Sequence, residues 1–333
     1  MRFGYSETCL EHDPGRRHPE SPDRLRAIRR RLSREHAVSY TEAPSADPNQ
    51  VEAVHDSHYV EALERFCADG GGDWDPDTTA SETTWPAARR SAGLAIWAAN
   101  RAIAGDDGRD APFSLGRPPG HHAVTDDAMG FCFFNNAAVA TAAAREQSGI
   151  DRVAIFDWDV HHGNGTQEIF AGVDGVLYTS VHEEGIYPGT GGIDETDGGT
   201  TLNVPVPAGT SDAGYCHVVD AAIAPAISRF DPDLLVISAG FDPHRHDPIS
   251  RTRLSTEGFG LLTQRVRTLA GELEVGLAFV LEGGYGLETL SDGVAMVNRV
   301  FDGYDPVEPE DGPAEAVSER VDAVRDAHDL NGD

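Results

Sequence analysis

Short apolar runs recur along this chain between stretches of helical periodicity, and that alternation limits the fold more than any other feature. The runs are Pro112–Leu115, Val153–Phe156, Val176–Ser180, Leu234–Ser238 and Leu277–Leu281. Continuous apolar runs of this length are the signature of strands buried on both faces. Helical patterns lie between and around them at Pro86–Ala104, Asn135–Gln147, Asp212–Phe230 and Thr256–Glu272. The alternation predicts an α/β chain, a mostly parallel sheet covered by helices on both faces. With 333 residues and 39% apolar content, the chain reads as one large domain over 1–333. From about residue 303 an acidic extension begins, in which Val317, Val321 and Val324 recur at helical spacing. It reads as a helix that either packs on its own domain or offers a docking face to a partner.

Charge narrows the function classes. The chain carries 56 acidic against 26 basic residues, every basic residue is arginine, and the formal net charge is -30. Such a surface repels phosphate backbones and attracts cations, so direct nucleic-acid binding is not expected. Acidic excess without lysine suits a protein kept soluble in concentrated salt, where self-repulsion is screened; a halophilic source follows as an expectation. No run approaches the roughly 20 apolar residues of a membrane span, and the opening MRFGYSETCLEHDPGRR lacks the apolar segment of a signal peptide. A cytoplasmic location is expected. Cys9, Cys67, Cys132 and Cys216 show no paired spacing and read as reduced thiols.

The segments that follow the five runs carry the chemistry: GRPPGHH, DWDVHHGNG, SVHEEGIYPGTGG, AGFDPHRHD and EGGYG. In an open parallel sheet the ligand crevice lies beyond the carboxyl ends of the strands, so these five tips converge. Turn formation accounts for their Gly and Pro residues. It does not account for two His-His pairs and three strand-end aspartates.

If strand geometry continues through DWDVHHGNG, then Asp157, Asp159 and His161 project to one side. Asp242, from another tip, can join Asp159 and His161 in a three-ligand site with a position open to water, the pattern of a catalytic zinc centre. Two carboxylates leave Fe2+, Co2+ and Mn2+ open as alternatives. His121 and His122, after a rigid Arg-Pro-Pro-Gly turn, offer a base for water and an acid for a leaving amine. Asp157 and Asn164 are the groups available to orient the two rings, and different partners would hold them at different pKa values. Tyr285, beside two glycines, is placed to donate to a developing oxyanion.

These motifs resemble the zinc-dependent histone deacetylase and acetylpolyamine amidohydrolase superfamily. The resemblance runs through HPESPDRL at 18–25, GRPPGHHA at 116–123, MGFCFFNN at 129–136, DWDVHHGNGT at 157–166, YPGTGG at 187–192, SAGFDPHRHDP at 238–248 and LEGGYG at 281–286. Asn164 and Glu282 make the chain most similar to the class II-type branch, with its many prokaryotic members; with the charge balance, a haloarchaeal source is expected. The resemblance implies a three-layer arginase/deacetylase-like fold of about eight strands, with the active site at their C-terminal ends. It implies Asp159, His161 and Asp242 as ligands of one Zn2+, and His122 as general base and acid. His121 becomes an electrostatic partner, backed by Asp157 as His122 is by Asn164, and Tyr285 polarises the scissile carbonyl. Gly130, Phe131, Tyr187 and Ile249 correspond to the acyl-chain channel and its rim, with Tyr187 in place of a more usual Phe. Asp157 and Ser180 correspond to a structural K+ site.

The implied activity is metal-dependent removal of an acetyl or other acyl group from an amine, with N-acetyl-lysine in proteins as substrate. Deacetylation of acetylpolyamines or other small N-acyl amines is the alternative. A non-catalytic acyl-lysine binder and a dinuclear manganese ureohydrolase of the same fold are the remaining readings.

Overall fold

Each of the five apolar runs becomes a strand of one sheet. The computed structural model describes residues 1–105 and 111–330. In chain order the strands are β1 (Arg2–Gly4), β2 (Ser39–Thr41), β3 (Gly71–Asp73), β4 (Thr79–Ser81), β5 (Phe113–Ser114), β6 (Val153–Asp157), β7 (Val176–Glu183), β8 (Thr201–Val206), β9 (Leu234–Ala239) and β10 (Gly276–Leu281). Strands β3 and β4 form a separate antiparallel pair. The other eight make a sheet in the order β2-β1-β5-β10-β9-β6-β7-β8, and every neighbouring pair is parallel.

Side chains alternate between two cores, as pleating requires. Ala154, Phe156, Leu235 and Ile237 enter one apolar cluster, packed under helices Asp23–Leu32, Thr256–Glu272 and Leu287–Phe301. Val153, Ile155, Leu234 and Val236 enter the other, under Ser57–Ala68, Thr84–Ala104 and Asn136–Arg145. The result is helix, sheet, helix.

Register places the chemistry. One row across the sheet reads Ser114, Val280, Ser238, Asp157, Ser180 and Asn203 on β5, β10, β9, β6, β7 and β8. Every member is buried. Before this row the strands are mostly aliphatic and aromatic, with Thr179 and Thr201 as exceptions; at it five of six positions turn polar, so the row marks where core packing ends and the site begins.

Four departures from the sequence reading have physical reasons. Strand β8, TLNVPV, contains Pro205 and gave no strand signal, but it lies at the sheet edge, where a missing N–H costs little. Strands β1 and β2 are too short for their periodicity to register. The tip expected to begin at Ser180 remains strand as far as Glu183. The helix read over Asp212–Phe230 is three segments, Asp212–Val218, a π turn at Val219–Ile223, and Ala224–Phe230. Pro225 has no N–H to continue the i to i−4 ladder, and the Ala224 N–H bonds the Val219 carbonyl, five residues back.

The acidic extension forms a helix at Glu315–Ala327, and Val317, Val321 and Val324 are buried in the first cluster against β8 and helix Asp212–Val218. All three valines point inward, so this face is not free to dock a partner. Replacing Val321, fully buried, by Ala deletes two methyl-sized groups and is expected to cost about 1.5–3 kcal/mol in denaturant unfolding; no change in midpoint would mean the helix does not pack as described.

Candidate metal centre and active site

Strand β6 ends at Asp157, so strand geometry does not carry Asp159 and His161 to one side as the sequence reading supposed. Side-chain turns do so instead. Asp157 Oδ1 accepts the Asp159 N–H at 3.0 Å, and Asp159 Oδ1 accepts the His161 N–H at 2.9 Å. These are successive Asx turns, each aspartate bonding the backbone two residues on.

Asp242 arrives from the loop after β9, and its Oδ1 accepts the Val160 N–H at 2.9 Å. The ligand-type atoms of Asp159, His161 and Asp242 then all lie within 4.8 Å of one another. The segment just after β10 contributes close backbone. The Gly283 N–H donates to Asp159 Oδ2 at 2.8 Å, and a Cβ at Gly283 would stand 2.3 Å from Asp242 Oδ2. Only glycine fits there.

One atom in this cluster has no hydrogen bond. His161 Nδ1 lies 3.1 Å from Asp159 Oδ1 and 3.3 Å from Asp242 Oδ2. A single N–H cannot serve both, and Asp242 Oδ2 is left buried without a hydrogen bond. An orphaned carboxylate oxygen is costly unless a cation meets it. Two carboxylates and an imidazole at this separation fit one divalent ion.

Titration behaviour agrees. Burial would push His161 down, but the Asp159 and Asp242 carboxylates outweigh it and raise it to about 10. Burial and the neighbouring Asp159 charge raise Asp242 to about 7. Burial alone would lift Asp159 too, but the His121 and His161 charges hold it well below the usual carboxylate range. Protons therefore stand in where a cation would sit.

The His121–His122 pair stacks beside this cluster with ring centroids 4.0 Å apart. His121 Nδ1 meets Asp157 Oδ2 at 3.0 Å, and His122 Nδ1 meets Asn164 Oδ1 at 2.8 Å. The structure thus supplies both orienting groups read from the sequence, and with opposite consequences. For His121, burial is outweighed by Asp159 and Asp157, and its pKa rises to about 10. For His122, burial is reinforced by the charges of His121 and His161, and its pKa falls well below the ordinary value. The pair divides into one imidazolium and one neutral ring whose Nε2 is free.

Tyr285 packs edge-on to Phe131 at 5.7 Å, with the Arg24 guanidinium 5.0 Å from its ring. Burial raises the Tyr285 hydroxyl pKa well above 10, opposed by Arg24 and assisted by Asp242 and Asp159, so it is a donor. Tyr187 stands perpendicular to the His122 ring at 5.0 Å and is 38% exposed. The two aromatics therefore flank the His122 and Tyr285 sides. Gly130 lies against His122, where a Cβ would meet its Cδ2 at 2.5 Å, and its φ of +56° favours glycine in any case. Ile249, 37% exposed, is joined to the site through Asp247: Asp247 Oδ1 accepts the Ile249 N–H, and Oδ2 accepts those of Tyr285 and Gly286. Ser180 is the register partner of Asp157, and its Oγ lies 2.9 Å from His182 Nδ1.

Several supporting residues escaped the sequence reading. Asp247 orients the Tyr285 backbone. Arg24 bonds the carbonyls of Glu282 and Gly284. Gln167 ties His162, Asn203 and Glu195 together beneath the Tyr187 loop. Each acts through backbone or other side chains, and the sequence reading touched the first two only within HPESPDRL and SAGFDPHRHDP, two of the segments that carry the resemblance.

The histone deacetylase domain family matches residues 18–301, well over half of the chain. The chain belongs to the histone deacetylase family. It is 38% identical over 309 residues to a histone deacetylase-like amidohydrolase of Pseudomonas aeruginosa, covering 85% of this chain and 81% of that one. It is also 38% identical over 292 residues to an acetylpolyamine amidohydrolase of Burkholderia pseudomallei, covering 76% and 82%. Among solved structures, the HDA15 HD domain superposes with a TM-score of 0.90 at 36% identity, covering 98% of this chain and 93% of the other. This histone deacetylase family member is therefore a metal-dependent deacetylase with an arginase/deacetylase-like fold.

A metal ion bound at this cluster would have to displace the proton on His161 and any on Asp242. Their folded pKa values of about 10 and about 7 set the sign: affinity climbs as pH rises toward the higher value. Titration calorimetry at pH 7 in buffers of different ionisation heat is expected to show release of at least one proton per metal bound. Binding with no proton release would contradict the ligand set.

Proposed function

We propose that this deacetylase uses one zinc ion, held by Asp159, His161 and Asp242, to hydrolyse N-acetyl-lysine in proteins to acetate and free lysine. The observation that carries the reading is the buried Oδ2 of Asp242, which lacks a hydrogen bond and faces His161 Nδ1 beside a neutral His122. When bound, the metal would polarise the amide carbonyl and acidify a water. One such cluster occurs among the described residues, which favours a mononuclear centre over a dinuclear one.

The chain's own residues take the other roles. His122 Nε2 accepts the proton of the attacking water and returns it to the departing amine; its Nδ1 stays fixed on Asn164. His121, held as an imidazolium on Asp157, offsets negative charge that builds on the tetrahedral carbon's oxygens. The Tyr285 hydroxyl donates to the carbonyl oxygen. Tyr187, Phe131 and Ile249, with Gly130 making room, border a path that suits a thin, uncharged acyl-amine chain; an amide can be desolvated there with few hydrogen bonds, whereas an ammonium cannot. A structural K+ at Asp157 and Ser180 is part of the same reading, supported by their pairing across β6 and β7.

Protein acetyl-lysine is the first choice because the -30 charge draws basic segments to the surface. That charge suits acetylpolyamines as well, so a turnover panel of acetyl-lysine peptides, acetylpolyamines and small acylated amines, with metal analysis, decides. Acetyl-lysine peptides are expected to give the highest kcat/KM. His122→Ala and Tyr285→Phe are each expected to lose at least ~100-fold in kcat. Acetylpolyamine turnover exceeding that of peptides would overturn the substrate, and wild-type rates in either variant would overturn the roles.

The acidic, lysine-free surface further supports a salt-rich cytoplasm as the working environment, and no helix among the described residues is long and apolar enough to cross a membrane. Thermal unfolding is expected to move to higher temperature from dilute buffer to molar KCl. Equal midpoints would remove the halophilic reading.

A further inference from the structure

The two catalytic histidines sit on a part of the chain that the sheet scarcely holds. Strand β5 is two residues long and pairs with β1 and β10 through only Phe113 and Ser114. The Leu115 N–H reaches the Gly4 carbonyl at 2.8 Å, and beyond it the chain leaves the ladder for Gly116 to His122. A general base placed by such a segment needs other anchors, because a displacement of about 1 Å at a reacting group can cost on the order of 100-fold in rate.

The anchors can be followed residue by residue. The Arg117 guanidinium reaches Glu20 and the carbonyls of Cys9 and His12. The Pro118 carbonyl accepts from Ser91 Oγ and Asn136 Nδ2. The His121 carbonyl accepts the N–H groups of Gly165 and Thr166. The N–H groups at the histidine pair go elsewhere: Gly120 N at 2.7 Å and His121 N at 3.1 Å both donate to Glu282 Oε2.

Glu282 has no exposed surface. Its Oε1 accepts from Ser238 Oγ on β9 at 2.9 Å, and its own backbone N–H donates to the Ala239 carbonyl. One carboxylate thus joins the tip of β5 to β9 and β10, the strands whose tips carry Asp242 and Tyr285. Every partner it has is a donor, so the cradle is built for an acceptor. Its neighbours Gly283 and Tyr285 have separate tasks, on Asp159 and on the carbonyl path, so no role in the scheme above is Glu282's already.

We propose that Glu282 is a positioning residue of this deacetylase: by accepting the Gly120 and His121 N–H bonds while fixed to Ser238, it sets where His121 and His122 stand over the Asp159, His161 and Asp242 ligand set. The role is that of a hydrogen-bond acceptor of fixed position, exercised through the backbone. It does not require Glu282 to exchange a proton with substrate, which it does not touch.

That distinction makes the role separable. In Glu282→Gln the amide oxygen can take the place of Oε2 and keep both N–H bonds, while the amide nitrogen donates to Ser238 Oγ. In Glu282→Ala both N–H groups lose their acceptor. The inference rests on the deacetylase reading for its kinetic arm, so a second arm is independent of turnover. In that arm, ring 15N and 13C shifts of His121 and His122 are recorded in the metal-free full chain.

Glu282→Ala is expected to lose about 10- to 100-fold in kcat, to keep KM within about threefold, to retain one metal per chain, and to shift the His121 and His122 ring resonances. Glu282→Gln is expected to recover kcat to within about threefold of wild type, with unchanged ring resonances and an unchanged pH profile. Wild-type kcat in Glu282→Ala, or ring resonances unmoved in it, would overturn the proposal. So would a Glu282→Gln variant as impaired as Glu282→Ala, which would assign the role to charge, or loss of metal and KM together with kcat, which would assign it to general integrity of the fold. Absence of turnover in the wild type on every acyl amine would sink the substrate scheme, and the resonance arm would still decide the role of Glu282.

Discussion

Buried negative charge at the carboxyl ends of a parallel sheet is the constraint around which this molecule is organised. Asp157, Asp159 and Asp242 are buried within a few residues of β6 and β9, with one oxygen of Asp242 lacking any hydrogen bond. Burying carboxylates without cations is prohibitive, so the site must hold positive charge whatever its state. In the metal-free chain His121 and His161 supply it as imidazolium ions. With a divalent ion held there His161 would be neutral, and the charge on His121 would go on favouring the neutral form of His122. The division of labour between the two adjacent histidines is a consequence of where the carboxylates lie, since Asp157 backs one ring and a neutral amide, Asn164, backs the other.

Fold and chemistry meet in the buried polar links between tips. Glu20 is fully enclosed and meets two arginines, Arg24 and Arg117. Burial favours its neutral form, but the guanidinium groups of Arg117 and Arg24 outweigh it and hold the carboxylate ionised. Arg24 carries the connection to the carbonyls of Glu282 and Gly284, and Arg117 carries it to the base of the histidine tip. Asp247 and Glu282 then hold the backbone around Tyr285 and His121. Loops of this kind would be mobile if only their ends were fixed. Charged groups whose every bond is internal give them the definition that strands alone do not.

The parts legible in the sequence are those where one residue type has few alternative uses. Apolar runs flanked by Gly and Pro located β6, β7, β9 and β10, because central parallel strands have no solvent face to blur the pattern. Tandem His and Asp-x-Asp-x-His located the site, because such groups are rarely assembled in a buried place for packing alone. Edge and near-terminal strands were less legible: β8 has a proline that only an edge position tolerates, and β1 and β2 are three residues each. The route by which Asp159 and His161 converge was read as strand extension and proved to be successive Asx turns, since aspartate supports either geometry locally. The bonds that Glu282 and Asp247 make to backbone amides leave no local pattern, because their partners are distant in sequence and defined only by the fold.

X-ray absorption at the zinc edge of the reconstituted full chain tests the central claim most directly, because it reports the atoms around the ion and nothing else. Two aspartates and one histidine require a single shell of oxygen and nitrogen at about 2.0–2.2 Å with one imidazole's outer scattering. Sulfur at about 2.3 Å, two or more imidazoles, or a second metal at about 3.5–4 Å would contradict a lone cation held by Asp159, His161 and Asp242.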